Sequence, residues 1–283
     1  MKQITIISGK GGTGKTTIAA AFANLAAGNA VFADCDVDAP DLHLILKPKI
    51  LETRDFFGSN VAVINPEKCV KCGICREKCR FGAIDEGIQI HEESCEGCGV
   101  CALVCPQKCI EMKQRKGGSI YVSETRFGPM VHANLEAGGE SSGKLVSMVR
   151  DTARKTAKSQ NKEIIIIDGS PGIGCPVIAS ITGTDLALIV TEPTVSGIHD
   201  MRRVIEVAKH FKVPAAVCIN KADINKAAAE EINKFCAKNE IPVVGMLPYD
   251  TASVGAMITE KAVTEFGDSA LALGIRKMWE KIK

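Results

Sequence analysis

The sequence predicts a doubly wound, mostly parallel α/β sheet interrupted by a small cysteine-rich α+β insert, and three observations predict it. The apolar run Ile4-Thr5-Ile6-Ile7 leads into Gly9-Lys10-Gly11-Gly12-Thr13-Gly14-Lys15-Thr16-Thr17, which opens a helical stretch ending near Gly28. A second buried-strand pattern, Ile164 to Ile167, ends in Asp168. Between these lie eight cysteines in two matching arrays, Cys69-x-x-Cys72-x-x-Cys75-x-x-x-Cys79 and Cys95-x-x-Cys98-x-x-Cys101-x-x-x-Cys105. With 283 residues, 46% of them hydrophobic, the chain can bury a large core, and its length suits one large domain, or one domain plus an insert.

Composition excludes several classes. The 35 basic and 33 acidic side chains leave a net charge of +2, which gives no reason to expect nucleic-acid binding or attraction to a membrane surface. No apolar run reaches the roughly 18 residues of a spanning helix. Lys2-Gln3 leads directly into a strand rather than a signal-peptide pattern, so the expected location is cytoplasmic. Thirteen cysteines in such a chain point to a reducing compartment and to metal rather than to a disulfide framework.

The glycine-rich stretch fits G-x-x-x-x-G-K-[ST]. Its glycines let backbone N–H groups turn inward around phosphate oxygens, and the helix that follows adds its partial positive charge. Gly11, Gly12, Thr13, Gly14 and Thr17 would line the phosphates, Lys15 would reach the outer ones, and Thr16 would hold Mg2+. Lys10 adds a second lysine where an ordinary loop of this kind has no fixed residue type. With it, the stretch resembles the deviant Walker A of the MinD/ParA superfamily of ATPases, which includes the nitrogenase iron protein and Mrp-type iron–sulfur carriers. The resemblance implies ATP as ligand, and a dimer, of like chains or with a paralogue, in which Lys10 reaches the partner's nucleotide.

Ala30-Val31-Phe32-Ala33 reads as the next strand and runs into Asp34, Asp36, Asp38 and Asp41. Ligands bind at the carboxyl ends of strands in such sheets, so these acids should face the nucleotide. By the same resemblance Asp36 would position the attacking water, with Asp38 a lesser contributor. Cys35, without a partner at ligand spacing, reads as a core residue.

In the cysteine arrays, a tight loop can aim three thiolates at three irons of one cube, while the fourth is displaced onto the other cluster. The arrays resemble a two-cluster bacterial ferredoxin. That resemblance implies one 4Fe-4S cluster on Cys69, Cys72, Cys75 and Cys105, and a second on Cys95, Cys98, Cys101 and Cys79. Four-coordinate zinc needs fewer thiolates than these arrays provide. Arg80 replaces the proline that follows the fourth cysteine in the second array, Pro106, and Cys109 reads as packing. The insert spans 65–113, and 1–64 with 114–283 form the ATPase domain.

Ser119 to Val122 and Met130 to Ala133 read as short strands returning to the sheet, Gly138 to Gly143 as a flexible connection, and Lys144 to Lys158 as a helix. The five histidines show no ligand spacing. Asp168, at the end of its strand, has the pattern of a Walker B and would bind magnesium through water. Gly169-Ser170-Pro171-Gly172 resembles switch II of the family, the loop that changes on hydrolysis. Cys175 lies where the iron-protein branch carries a cluster cysteine, but no second cysteine stands near Gly138 to Lys144. A buried packing role and a redox or metal contact both stay open for it.

Further strands are read at Leu186 to Val190, Ala215 to Ile219 and Ile241 to Met246, with a helix over 196–210. Asn220-Lys221-Ala222-Asp223 matches N-K-x-D; by resemblance Asn220 contacts adenine and the loop at Pro248 closes over the base. Ile275, Met278, Trp279 and Ile282 form an apolar stripe beside basic residues, which suits a final helix docked on the sheet rather than membrane association. Three uses of an ATPase carrying two clusters follow. One is electron transfer to a redox partner gated by ATP, which the permanence of two clusters held by eight thiolates favours. The others are a carrier or maturation factor for a cluster or metal cofactor, and a redox-sensing spatial or regulatory switch.

Overall fold

The computed structural model describes residues 1–136 and 141–283. Gly138, Gly139 and Glu140, read above as part of a flexible connection, lie outside the described residues. The first elements are β1 (Lys2–Ser8), α1 (Lys15–Leu25), β2 (Ala30–Asp34), α2 (Leu42–Leu46) and β3 (Lys49–Ile64). Next come α3 (Ile74–Lys78), α4 (Val100–Leu103), β4 (Ile110–Thr125), β5 (Gly128–Leu135), α5 (Ser142–Ser159) and β6 (Ile164–Pro171). The chain continues with α6 (Cys175–Ile181), β7 (Leu186–Thr191), α7 (Val195–His210), β8 (Ala215–Ile219), α8 (Lys226–Lys238) and β9 (Val243–Met246). It closes with α9 (Ala252–Ile258), α10 (Val263–Phe266) and α11 (Ala270–Ile282).

The strands form one sheet in the order β3-β4-β5-β2-β6-β1-β7-β8-β9. Its central pairs are parallel: β1 with β6 and β7, β2 with β5 and β6, β7 with β8, and β8 with β9. The chain leaves β1 toward β2 on one side and later returns to β7 on the other, so a topological switch point lies at the carboxyl end of β1. Open sheets of this type bind ligands at that point.

The chain divides into two compact units. The first comprises Met1–Thr53, Ile120–Asn134 and Ser142–Lys283. Its strands are apolar on both faces because both faces are covered. Ile4, Ile6, Phe32 and Ile166 pack with α1 and α11, whereas Ile7, Ile189 and Val217 pack with α7 and α8. The stripe on α11 is spent in this core, with Trp279 packed on Phe22 at a ring-centroid separation of 5.0 Å. No helix among the described residues is long and apolar enough to cross a membrane.

The second unit comprises Arg54–Ser119 and Leu135–Ser141, a wider stretch than 65–113. The difference lies in β3 and β4, each 16 residues long. Sequence pattern finds only the end of β4 and nothing of β3, because Lys49 to Asp55 is exposed throughout and carries no alternation for a period-two reading to detect. Within this unit Ala62, Ile84, Ile88 and Ile110 form a small core with Cys75 and Cys109.

Trp279 is the single tryptophan of the chain, and it is buried. Trp279→Ala should cost about 3–5 kcal/mol in urea unfolding followed by circular dichroism. A loss below about 1 kcal/mol would show that α11 contributes little to the core.

Candidate functional site

The glycine-rich loop joins β1 to α1 at the switch point. α1 starts at Lys15, and its N-cap, Gly14, has φ of 95° and no side-chain cap. The first-turn N–H groups are therefore available to an anion. Gly14 also has no room for a side chain, since a Cβ there would lie 2.5 Å from Nδ2 of Asn220. That amide donates to the Thr13 carbonyl oxygen at 2.8 Å, and its oxygen accepts from the Lys221 backbone at 3.0 Å. Asn220, expected at the adenine, thus also ties the phosphate loop to the loop after β8.

A cavity of about 530 Å³ lies over the loop, lined by Gly11, Gly12, Gly14, Lys15, Thr16 and Thr17 together with Asp36, Asp38, Asp41 and Ser170. A neighbouring cavity of about 200 Å³ shares Gly12, Gly14 and Thr17 and is walled by Asn220, Lys221, Pro248 and Tyr249. Residues read separately as phosphate-binding and base-binding are thus adjacent.

Two carboxylates are buried on adjacent strands of the sheet. Asp34, at the end of β2, and Asp168, within β6, are register partners. Asp34 accepts from the backbone N–H of Asp36 at 3.1 Å and of Leu42 at 3.2 Å, which holds the acidic loop in place. Asp168 differs: neither of its oxygens has a partner in full hydrogen-bond geometry. Burial pushes its carboxyl up to about 7 against the pull of the Lys15 ammonium and the Thr16 hydroxyl. Burial also raises Asp36, opposed chiefly by Lys15. An unpaired buried carboxylate beside a threonine hydroxyl suits a divalent cation.

Ser170 Oγ donates to the Cys35 carbonyl oxygen at 2.7 Å and links the loop after Asp168 to the acidic loop. Cys35 itself is fully buried. Cys175, by contrast, is exposed where α6 begins, which corrects the buried packing role.

Lys10 is not free in solvent. Its ammonium lies 3.2 Å from Glu192, with Thr194 Oγ1 and Ser196 Oγ at 3.5 and 3.4 Å. Lys221 holds the same Glu192 carboxylate. Burial raises Glu192, but the two lysines outweigh it and its carboxyl lies below the usual range. Asp34, expected with the other acids to face the nucleotide, is fully buried and does not line the cavity, and no motif in the sequence marks the Glu192 anchor or the Ser170 tether. An acid in a loop at a strand's carboxyl end was the available signal for Glu192.

In the second unit each cysteine quartet surrounds a cavity. Cys69, Cys72, Cys75 and Cys105 line one of about 10 Å³, and Cys79, Cys95, Cys98 and Cys101 line one of about 20 Å³. The two loops share a backbone: Lys71 and Gly73 are left-handed in the first, as are Gly97 and Gly99 in the second. Such successive turns point N–H groups inward, as anion-binding concavities do. Among the described residues no three or more His, Cys, Asp or Glu side chains form a site for a single metal ion. His132, with no ligand spacing, is buried and hydrogen-bonds Ser123 at 3.1 Å.

Residues 4–263 match the CobQ/CobB/MinD/ParA nucleotide binding domain. An uncharacterized protein of Methanocaldococcus jannaschii is 35% identical over 283 residues, 99% of this chain and 96% of its own length. An uncharacterized ATP-binding protein of the same organism is 25% identical, over 99% of this chain and 86% of its own. The fold is similar to that of the septum site-determining protein MinD of Pyrococcus horikoshii, solved with Mg-ADP: the TM-score is 0.61 at 16% identity, covering 100% of this chain and 96% of that one. MinD of Aquifex aeolicus, solved with MinC, gives 0.60 at 17%, covering 99% and 95%.

With the Asp168 carboxyl raised to about 7 from its ordinary 3.8, the folded chain holds that proton more tightly than the unfolded one. Stability should therefore fall as pH rises between these values and stay reduced above about 7. Asp168→Asn should raise the thermal midpoint of the ligand-free protein at pH 8 by about 4–8 °C, on the order of 2 kcal/mol, with little gain at pH 4. A lower midpoint at pH 8 would contradict this.

Proposed function

The chain belongs to the CobQ/CobB/MinD/ParA nucleotide-binding family, and on that premise we propose that it is an ATPase that couples nucleotide-dependent dimerisation to electron transfer from two 4Fe-4S clusters to a partner protein. The observation that carries the reading is the sorting of eight cysteines into two cavities, each lined by one quartet in the crossed pattern of a two-cluster ferredoxin. Three cysteines in C-x-x-C-x-x-C followed by a fourth, done twice, exceed what four-coordinate zinc needs. Both left-handed loops would bring N–H groups toward the cluster sulfurs.

In the ATPase unit, the N–H groups of the glycine loop and Lys15 receive the phosphates. Thr16 and Asp168 would hold Mg2+, which supplies charge neutralisation at the outer phosphates. Asn220 and Pro248 border the space for adenine. Asp36, at the cavity wall with a raised carboxyl, orients the attacking water and draws its proton. Lys10 leaves Glu192 and contacts the partner's nucleotide, which ties hydrolysis to dimerisation. Ser170, bonded to the acidic loop, responds to loss of the terminal phosphate.

The exposure of Cys175 favours one second reading, a carrier or maturation factor in which this thiol takes part in a transferable site shared by two subunits. Two clusters on eight internal thiolates would then serve as its reductant.

Two measurements test the main proposal. ATP turnover per subunit should rise with protein concentration, and Lys10→Ala should lower it about 100-fold or more while a single subunit still binds ADP. Undiminished turnover in the variant would remove the dimer mechanism. Anaerobically reconstituted protein should hold eight irons and eight sulfides per chain; stoichiometric zinc without iron would overturn the cluster reading.

A further inference from the structure

The two halves of the cysteine module correspond position by position at an offset of 26 residues, Cys79 answering to Cys105 and Ile84 to Ile110. The chemistry of the correspondence breaks at one buried position. Four residues past the fourth cysteine, the first half carries Ala83 and the second Cys109, 2% and 4% exposed. Ala83 lines the cavity of the Cys79 quartet, and Cys109 lines that of the Cys105 quartet. Cys109 Sγ stands 3.4 Å from Cys105 Sγ. Its carbonyl oxygen accepts from the Asn65 N–H at 2.8 Å, so its backbone is fixed.

Alanine at the matching position shows that a cavity of this kind is built without a fifth thiol. A ligand role for Cys109 is therefore unnecessary, yet its sulfur touches a ligand sulfur. A cluster-bound thiolate has no proton to give, so in a Cys105–Cys109 pair the S–H of Cys109 is the donor. Hydrogen bonds to ligand sulfurs withdraw charge from a cluster and favour its reduced form.

Resting on the cluster reading above, we infer that Cys109 is a tuning residue that makes two otherwise matched clusters unequal: its S–H to Cys105 sets the potential of that cluster above that of its neighbour. Electrons then settle on the Cys105 side. Transfer within the module acquires a direction that the repeated ligand pattern alone does not provide.

The test is an anaerobic redox titration of the reconstituted full chain followed by EPR, alongside iron analysis, for the wild type, Cys109→Ala, Cys109→Ser and Ala83→Cys. The wild type should show two midpoints. Cys109→Ala should lower the upper one by about a tenfold change in the reduction equilibrium, about 59 mV for one electron. Cys109→Ser, which keeps a donor, should stay near the wild type, and Ala83→Cys should raise the lower midpoint. Unchanged midpoints in Cys109→Ala with eight irons retained would overturn the tuning role alone. Loss of four irons in that variant would make Cys109 a ligand and also overturn it, whereas a wild type that takes up no iron would remove the cluster reading and this inference together.

Discussion

Two carboxylates buried side by side at the end of the sheet set the terms for the ATPase unit. Asp34 and Asp168 occupy matching positions on adjacent parallel strands, and burying two like charges together is costly unless each is compensated. Asp34 accepts two backbone donors, which offset only part of the rise that burial and Asp168 impose on its carboxyl, and in accepting them it shapes the acidic loop that carries Asp36, Asp38 and Asp41. Asp168 receives no such donors, only the nearby Lys15 charge and Thr16 hydroxyl. The apparent defect is what a cation site requires, because a carboxylate already satisfied by the protein would have little to offer an ion.

A second constraint acts on Lys10. Folded back onto Glu192, it is held by an acid that also binds Lys221, so the lysine expected to act in trans and the loop of Asn220 share one anchor. Releasing Lys10 leaves Glu192 paired with Lys221, which lowers the cost of the exchange. The same loop is tied to the phosphate loop through Asn220 and Thr13. The phosphate loop and the loop after β8 are thereby joined by a direct bond.

How much of this was legible in sequence follows from which interactions are local. The parallel core strands announced themselves as apolar runs, since strands covered on both faces need no polar alternation. The glycine loop and Asp168 were legible because a phosphate cradle requires particular residue types at fixed spacing. β3 was not, because a strand with one long exposed stretch has no periodic signature. The paired burial of Asp34 and Asp168, the Glu192 anchor and the meeting of Cys109 with Cys105 depend on contacts made by the fold. Cys175 illustrates the converse: composition favoured burial, and the turn into α6 exposed it.

The central claim is that nucleotide state and cluster chemistry are coupled in one chain. The most direct measurement is EPR of the anaerobically reconstituted, reduced protein with and without ATP, alongside ATPase rates in both redox states. The account predicts that ATP shifts the cluster signal or midpoint and that reduction changes turnover. Cluster spectra indifferent to ATP, together with turnover indifferent to reduction, would contradict it and leave the cysteine module a docking or sensing element on a nucleotide switch.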